Sequence, residues 1–180
     1  MVLSDCFFAT DRLVADDWTR LLIGDTAERE RDAFVASLLT DAVTRDLPPG
    51  WQGPYDVDRA ASWFGERQEE STVLLVVDRS DARPVGLLIL SPSDSDDGRS
   101  DIRLGYIFEE RSWGKGLATE LVGGLADWCR PRRSIRTLIG GVADGNAASA
   151  HVLRKNGFVP DDPTTDNPSH ETMFRLSLPS

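Results

Sequence analysis

Eleven consecutive residues carry the first readable chemistry: Arg111-Ser112-Trp113-Gly114-Lys115-Gly116-Leu117-Ala118-Thr119-Glu120-Leu121. Two glycines at alternate positions let backbone pass close to a ligand. The run lies between an apolar, strand-like stretch, Ile102 to Phe108, and a helix-like stretch, Leu117 to Cys129. A helix N-terminus presents N–H groups without internal acceptors, at the positive end of the helix dipole. Strand, glycine turn and helix start together predict a phosphate cradle. Two common phosphate loops are excluded by spacing. The P-loop needs G-x-x-x-x-G-K-[ST], and the dinucleotide loop needs a third glycine where Thr119 stands.

A second block follows after one helix and one strand. It reads Asn146-Ala147-Ala148-Ser149-Ala150-His151-Val152-Leu153-Arg154-Lys155-Asn156-Gly157-Phe158 and comes after a strand-like run from Ile135 to Val142. Asn146 is a good N-cap for a helix, and Gly157 suits its left-handed end.

Together the blocks resemble the GNAT acetyltransferase superfamily. R-x-x-G-x-G resembles its acyl-CoA loop, and the second block is similar to its N-x-x-S-x-x-V-L-x-K-x-G-F signature. Leu104-Gly105-Tyr106 and Glu120 match the G-Y…W-G-K-G-x-A-T-E form of the branch that includes ribosomal-protein N-terminal acetyltransferases. Ala9-Thr10-Asp11-Arg12-Leu13 resembles that branch's T-x-R-L opening. The strong motifs cover residues 102 to 158; upstream, only the order of elements matches.

The resemblance implies a mixed α/β fold, with about six or seven strands flanked by helices on both faces. It implies acetyl-CoA as cosubstrate, no metal, and direct attack of a primary amine on the thioester. The acceptor is a small amine or a protein or peptide N-terminus. The backbone of Ile107, Phe108 and Glu109 would pair with the pantetheine arm. The N–H groups from Trp113 through Gly114, Lys115, Gly116, Leu117 and Ala118 would take the pyrophosphate, with Arg111 at the loop entrance. Asn146, Ser149 and Lys155 would add contacts, although Asn146 also reads as a plain helix cap and Lys155 as a surface charge. Leu153 stands where many members carry a tyrosine that protonates the leaving thiolate, which leaves Ser149 as the nearest candidate. Arg103 stands where the related branch often has a glutamate. Asp101 and Glu109 are then the candidate bases, each also readable as a solvated strand-end carboxylate. Trp51, Tyr55, Trp63 and Phe64 are the candidate acceptor-binding residues. A catalytically weak acyl-CoA-binding or regulatory module is the alternative from another class.

The elements that must position these groups can be traced along the chain. Arg12 to Ala15 predicts a short strand and Asp25 to Asp46 a helix, which Pro48-Pro49-Gly50 breaks. Asp56 or Asp58 caps a second helix through Glu70. Thr72 to Val77 and Val85 to Leu90 predict an antiparallel hairpin, and Ser91 to Ser100 a polar loop. Thr172 to Leu178 predicts a closing strand. Gly123-Gly124 sits inside the helix after the loop, where each glycine costs about 1 kcal/mol relative to alanine.

With 180 residues, the chain is expected to form one domain. Its formal charge of −10 disfavours nucleic acid as a partner and mildly favours a cationic one. No apolar run approaches the ~20 residues of a membrane span, and no signal peptide is recognisable. Cys6 and Cys129 make no disulfide framework, so a reduced cytoplasmic protein is expected, as monomer or homodimer. His151 and His170 have no partners at metal-ligand spacing.

Overall fold

The computed structural model describes residue 3 and residues 5–95, 98–161 and 171–179. The β-branched run Thr72–Asp78 forms β3, whose five inner residues are all buried. A strand buried on both faces requires cover on both. Around it, β1 (Phe8–Ala9), β2 (Leu13–Asp16), β4 (Pro84–Asp94), β5 (Ser100–Phe108), β6 (Ile135–Ala143), β7 (Val159–Pro160) and β8 (Glu171–Ser177) complete one sheet. The spatial order is β1-β2-β3-β4-β5-β6-β8-β7. Among the described residues every neighbouring pair is antiparallel except β5 and β6.

Successive side chains of a strand face opposite ways. Leu74, Val76, Leu88, Leu90, Ile102, Leu104 and Phe108 accordingly share a core with α5 (Leu117–Cys129) and α6 (Ala147–Lys155). Val73, Leu75, Val77, Leu87, Ile89 and Ile107 pack on the other face with α2 (Ala27–Leu38) and α4 (Val57–Glu70). Short α1 (Trp18–Leu21) and α3 (Asp41–Thr44) join these layers. The fold is the expected mixed α/β sheet with helices on both faces, but with eight strands. The additional pairings are the two-residue strands β1 and β7, too short to show a period of their own.

Two boundaries depart from expectation. The single helix expected over 25–46 is two, because Thr40 stops α2 and caps α3 by accepting from the Val43 N–H. The polar stretch from Ser91 is not all loop. β4 runs on to Asp94 because Pro92, Ser93 and Asp94 pair with Ile102, Asp101 and Ser100. Cross-strand pairing here outweighs weak β-propensity. The cap at Asp56 is as expected, accepting from the Arg59 N–H at 2.8 Å.

The glycine pair inside α5 has a packing cause. A Cβ on Gly124 would lie 2.6 Å from Thr10 Cγ2 and 2.9 Å from the Phe8 ring. Thr10 is held by hydrogen bonds and Phe8 is buried, so neither can retreat easily. We predict that Gly124→Ala destabilises the protein by about 1–3 kcal/mol, since overpacking exceeds the gain in helix propensity. Denaturant unfolding measures this; a more stable variant would show that the contact is loose.

Candidate functional site

The parallel ladder between β5 and β6 is short. It ends at the Leu104–Gly140 pair, yet β5 continues to Phe108 and β6 to Ala143. Beyond the last pair the strands diverge and a wedge opens between them. On β5 the Glu109 N–H donates to the Val85 carbonyl. Antiparallel alternation then turns the Ile107 backbone towards β4 as well, and the Tyr106 and Phe108 backbone towards the wedge. Of the three residues expected to offer backbone there, only Phe108 does so; Ile107 and Glu109 face the wrong edge. The Phe108 carbonyl already accepts from Trp113 Nε1 at 2.9 Å, which fixes that half-exposed indole at the wedge.

The wedge leads to the start of α5. Gly114 and Gly116 have φ of 70° and 75°, the left-handed region that favours glycine. A Cβ on Gly114 would meet nothing within 4 Å, so the turn faces open space. Gly116 is the N-cap and has no side chain to cap with; the first helical bond is Glu120 N–H to the Gly116 carbonyl. The N–H groups of Leu117, Ala118 and Thr119 therefore lack helical acceptors. Leu117 buries its side chain while Lys115 stays exposed. Asn156 Nδ2 donates to Thr119 at 3.1 Å and to Val152 at 2.9 Å. This ties the end of α6, and with it exposed Lys155, to the first turn of α5.

Inside the wedge, Asn146 caps α6 by accepting from the Ser149 N–H at 3.0 Å. Leu153, one turn further along, is buried on Gly140, where a Cβ would come within 2.8 Å of Leu153 Cδ1. Ser149 thus points to where the ladder has just ended. Its neighbour across the gap is Tyr106. The Tyr106 oxygen is shielded from solvent and has no hydrogen-bond partner of normal geometry. Burial raises the phenol pKa, and the adjacent Ser149 hydroxyl offsets part of that rise. A phenol and a serine hydroxyl thus face each other across the gap.

The two candidate bases do not fit that role. Asp101 lies four residues, about 13 Å, before the diverging part of β5. Arg136 grips both its oxygens at 2.9 and 2.5 Å and holds its pKa below the ordinary value. Glu109 is closer, but binds Arg83, Arg111 and Ser112 at 2.7, 2.7 and 2.9 Å. Burial works against its charge, yet these bonds prevail and lower its pKa. Arg111 is held by that carboxylate at the loop entrance. A different carboxylate faces the wedge from the open side of the sheet. Glu171 accepts from Arg103 Nη2 at 3.0 Å, and both reach over Gly141, where a Cβ would meet them at 2.9 and 3.0 Å.

The expected acceptor aromatics are packing residues. Trp63 and Phe64 are 4% and 1% exposed. Trp51 stands edge-on to Trp63 at 5.4 Å, with Arg67 over its ring. Tyr55 donates to the Trp51 carbonyl and carries Arg59 on its face. These rings brace the 48–55 loop against α4. Among the described residues no group of three His, Cys, Asp or Glu could hold a metal; His170 lies outside them.

The acetyltransferase (GNAT) domain model matches residues 20–159. The chain belongs to the GNAT acetyltransferase family. Solved structures share its fold at low identity. A GNAT-family acetyltransferase from Bacillus anthracis has a TM-score of 0.76 and 13% identity, over 96% of this chain and 98% of that one. RimL, a ribosomal alpha-N-protein acetyltransferase in complex with coenzyme A, has 0.72 and 13%, over 96% and 98%. Spermidine N-acetyltransferase from Vibrio cholerae, in complex with CoA and spermine, has 0.61 and 18%, over 83% and 90%. No curated protein sequence matches significantly.

Sequence reasoning named Tyr106 in a motif and Asn156 in another but gave neither a role in the site, and it passed over Glu171. Strand alternation places Tyr106 on the α5–α6 face, so that signal was present; Asn156 and Glu171 show their contacts only in three dimensions. It also gave no role to Glu120, whose carboxylate takes bonds from Thr10 and Arg12. Burial opposes that charge, but the bonds lower its pKa. A depressed folded pKa adds stability above the unfolded value, near 4.5, that is lost as pH falls through the folded one. We predict that Tm falls on acidification below about pH 4.5, and falls less steeply in Glu120→Gln. Parallel Tm–pH curves for the two proteins would refute this.

Proposed function

We propose that this chain transfers the acetyl group of acetyl-CoA to a primary amine, by direct attack on the thioester. The observation that carries the reading is the wedge between β5 and β6, which joins an uncapped helix start to the facing hydroxyls of Tyr106 and Ser149. The Tyr106 backbone and the Phe108 N–H, which face the wedge, suit a ligand carrying amides. The positive-φ glycines and free first-turn N–H groups suit a diphosphate. Coenzyme A has both, in that order. The Bacillus, RimL and Vibrio structures support the reading by fold, and the latter two by the coenzyme they contain.

In this reading each residue has a stated task. Leu117, Ala118 and Thr119 N–H groups, with Gly114 and Gly116, hold the diphosphate. The Phe108 N–H faces the wedge and stabilises charge developing on the thioester carbonyl oxygen. Ser149 donates to the departing sulfur, with Tyr106 supporting its hydroxyl. The amine arrives from the sheet face that carries Arg103, Gly105 and Glu171. Glu171 draws the ammonium form and takes its proton, directly or through water. Small amines and protein N-termini both fit this open face; an acceptor screen with acetyl-CoA separates them.

Calorimetry with coenzyme A tests the donor site. Gly114→Val and Gly116→Val should each weaken binding at least tenfold, because β-branched residues resist positive φ. Undiminished affinity in folded variants would remove the loop from the site. For the chemical step, Ser149→Ala should lower kcat on the order of 10²-fold, with little change in KM for acetyl-CoA. Tyr106→Phe should add little to that loss if the two hydroxyls act as a unit. Full activity of Ser149→Ala, with chemistry rate-limiting, would make the serine structural.

A further inference from the structure

Thr10, Arg12 and Glu120 meet beside the glycine loop, and acetyl transfer as described leaves them without a task. Glu120 lies in the first turn of α5, where a carboxylate would repel an anion approaching the free N–H groups. It is turned away. Its Oε1 accepts from the Thr10 hydroxyl at 2.6 Å and from the Arg12 N–H at 2.7 Å, and its Oε2 accepts from Arg12 Nε at 2.6 Å. The same guanidinium continues to the loop. Arg12 Nη1 donates to the Lys115 carbonyl at 3.0 Å, and Nη2 lies 3.8 Å from where a Gly116 Cβ would be.

The bond to Lys115 sets a direction. In a trans peptide the C=O and the following N–H point opposite ways. By holding the Lys115 carbonyl behind the loop, Arg12 turns the Gly116 N–H towards the open side. The clamp itself is anchored. Arg79 donates from its backbone to the Arg12 carbonyl at 2.8 Å and from Nη1 to the Thr10 carbonyl at 2.6 Å. Thr10 also packs where a Gly124 Cβ would stand, so the turn before β2 touches α5 at two places along its length.

We propose that Arg12 and Glu120, with Thr10, are positioning residues that hold the Lys115–Gly116 turn in the shape that receives the coenzyme A diphosphate. The proposal rests on the acetyl-CoA reading above. It assigns the T-x-R-L opening to donor binding, through the loop and without contact to the phosphates.

The test compares two donors: acetyl-CoA, and S-acetylpantetheine, which has the same thioester arm and no diphosphate. Arg12→Ala should raise KM for acetyl-CoA about tenfold or more, as loss of charge-assisted hydrogen bonds predicts. It should leave kcat, and kcat/KM with S-acetylpantetheine, within about twofold, since neither depends on the diphosphate grip. Calorimetry with coenzyme A should show the same loss without any acceptor. Equal losses with both donors, or no loss, would overturn the proposal. Glu120→Gln, nearly the same shape, separates positioning from direct attraction. If Arg12 attracted the phosphates itself, removing the neighbouring negative charge would tighten coenzyme A binding; the clamp requires weaker binding. Arg12→Lys keeps the charge without the two-pronged grip and should stay impaired; full recovery with lysine would also count against the clamp. Wild-type protein that binds no coenzyme A would overturn the acetyl-CoA reading itself, whereas normal binding by Arg12→Ala would overturn the clamp alone.

Discussion

Two parallel strands that begin hydrogen-bonded and then diverge leave backbone donors and acceptors along both inner edges, and such groups are expensive to bury unpaired. In this sheet the divergence begins after Leu104 and Gly140. The glycines at 140 and 141 let other groups close over β6 from each side: Leu153 on one face, Arg103 and Glu171 on the other. Leu153 seals the floor of the wedge and sets α6 at a height that brings Ser149 opposite Tyr106. The polar pair on the other face lies beside the same opening. In the proposed reaction, donor and acceptor would therefore meet at one break in a ladder, from opposite sides of the sheet.

Everything at the mouth of the wedge serves to keep backbone in unusual positions. Left-handed glycines gain no rigidity from their own side chains, and their freedom in the unfolded chain is an entropic cost. The surroundings supply the rigidity. Trp113 is bonded to Phe108, Arg111 to Glu109, and the Lys115 carbonyl to Arg12. Thr40 bonds Glu110, which connects the α2–α3 junction to the turn that follows β5. A loop held at four places has little ordering left to do when a ligand arrives.

The parts legible in sequence were those with local causes. The limits of α5 follow from the glycine turn before it and Pro131 after it, and Asn146 with Gly157 brackets α6 through cap chemistry. The parts that were not legible depend on partners distant in the chain. Asp101 and Glu109 looked like free strand-end acids because Arg136 and Arg83, 35 and 26 residues away, could not be placed beside them. Trp63 and Phe64 looked like pocket walls because an aromatic cluster near a loop reads the same whether its faces are open or filled. Here Trp63 is buried edge-on to Trp51, and arginines 31, 59 and 67 cover Phe64, Tyr55 and Trp51. Glu171 follows a stretch of low sequence signal, and only strand pairing brings it across from Arg103.

The charge balance divides labour between the two ligands of the proposed reaction. A chain of formal charge −10 repels an anionic donor at long range and attracts a cationic acceptor. Salt confines such fields to about 8–10 Å. Within that distance the donor meets mainly backbone dipoles at a helix start, which do not titrate and need no counter-ion. The carboxylate in the first turn of that helix, Glu120, is turned back and paired with Arg12. On the face proposed for the acceptor, Arg103 bonds Glu171, and the carboxylate of that pair is the group that would draw in an ammonium. The overall acidity then acts on the acceptor, while donor binding depends on a loop whose geometry is maintained from behind.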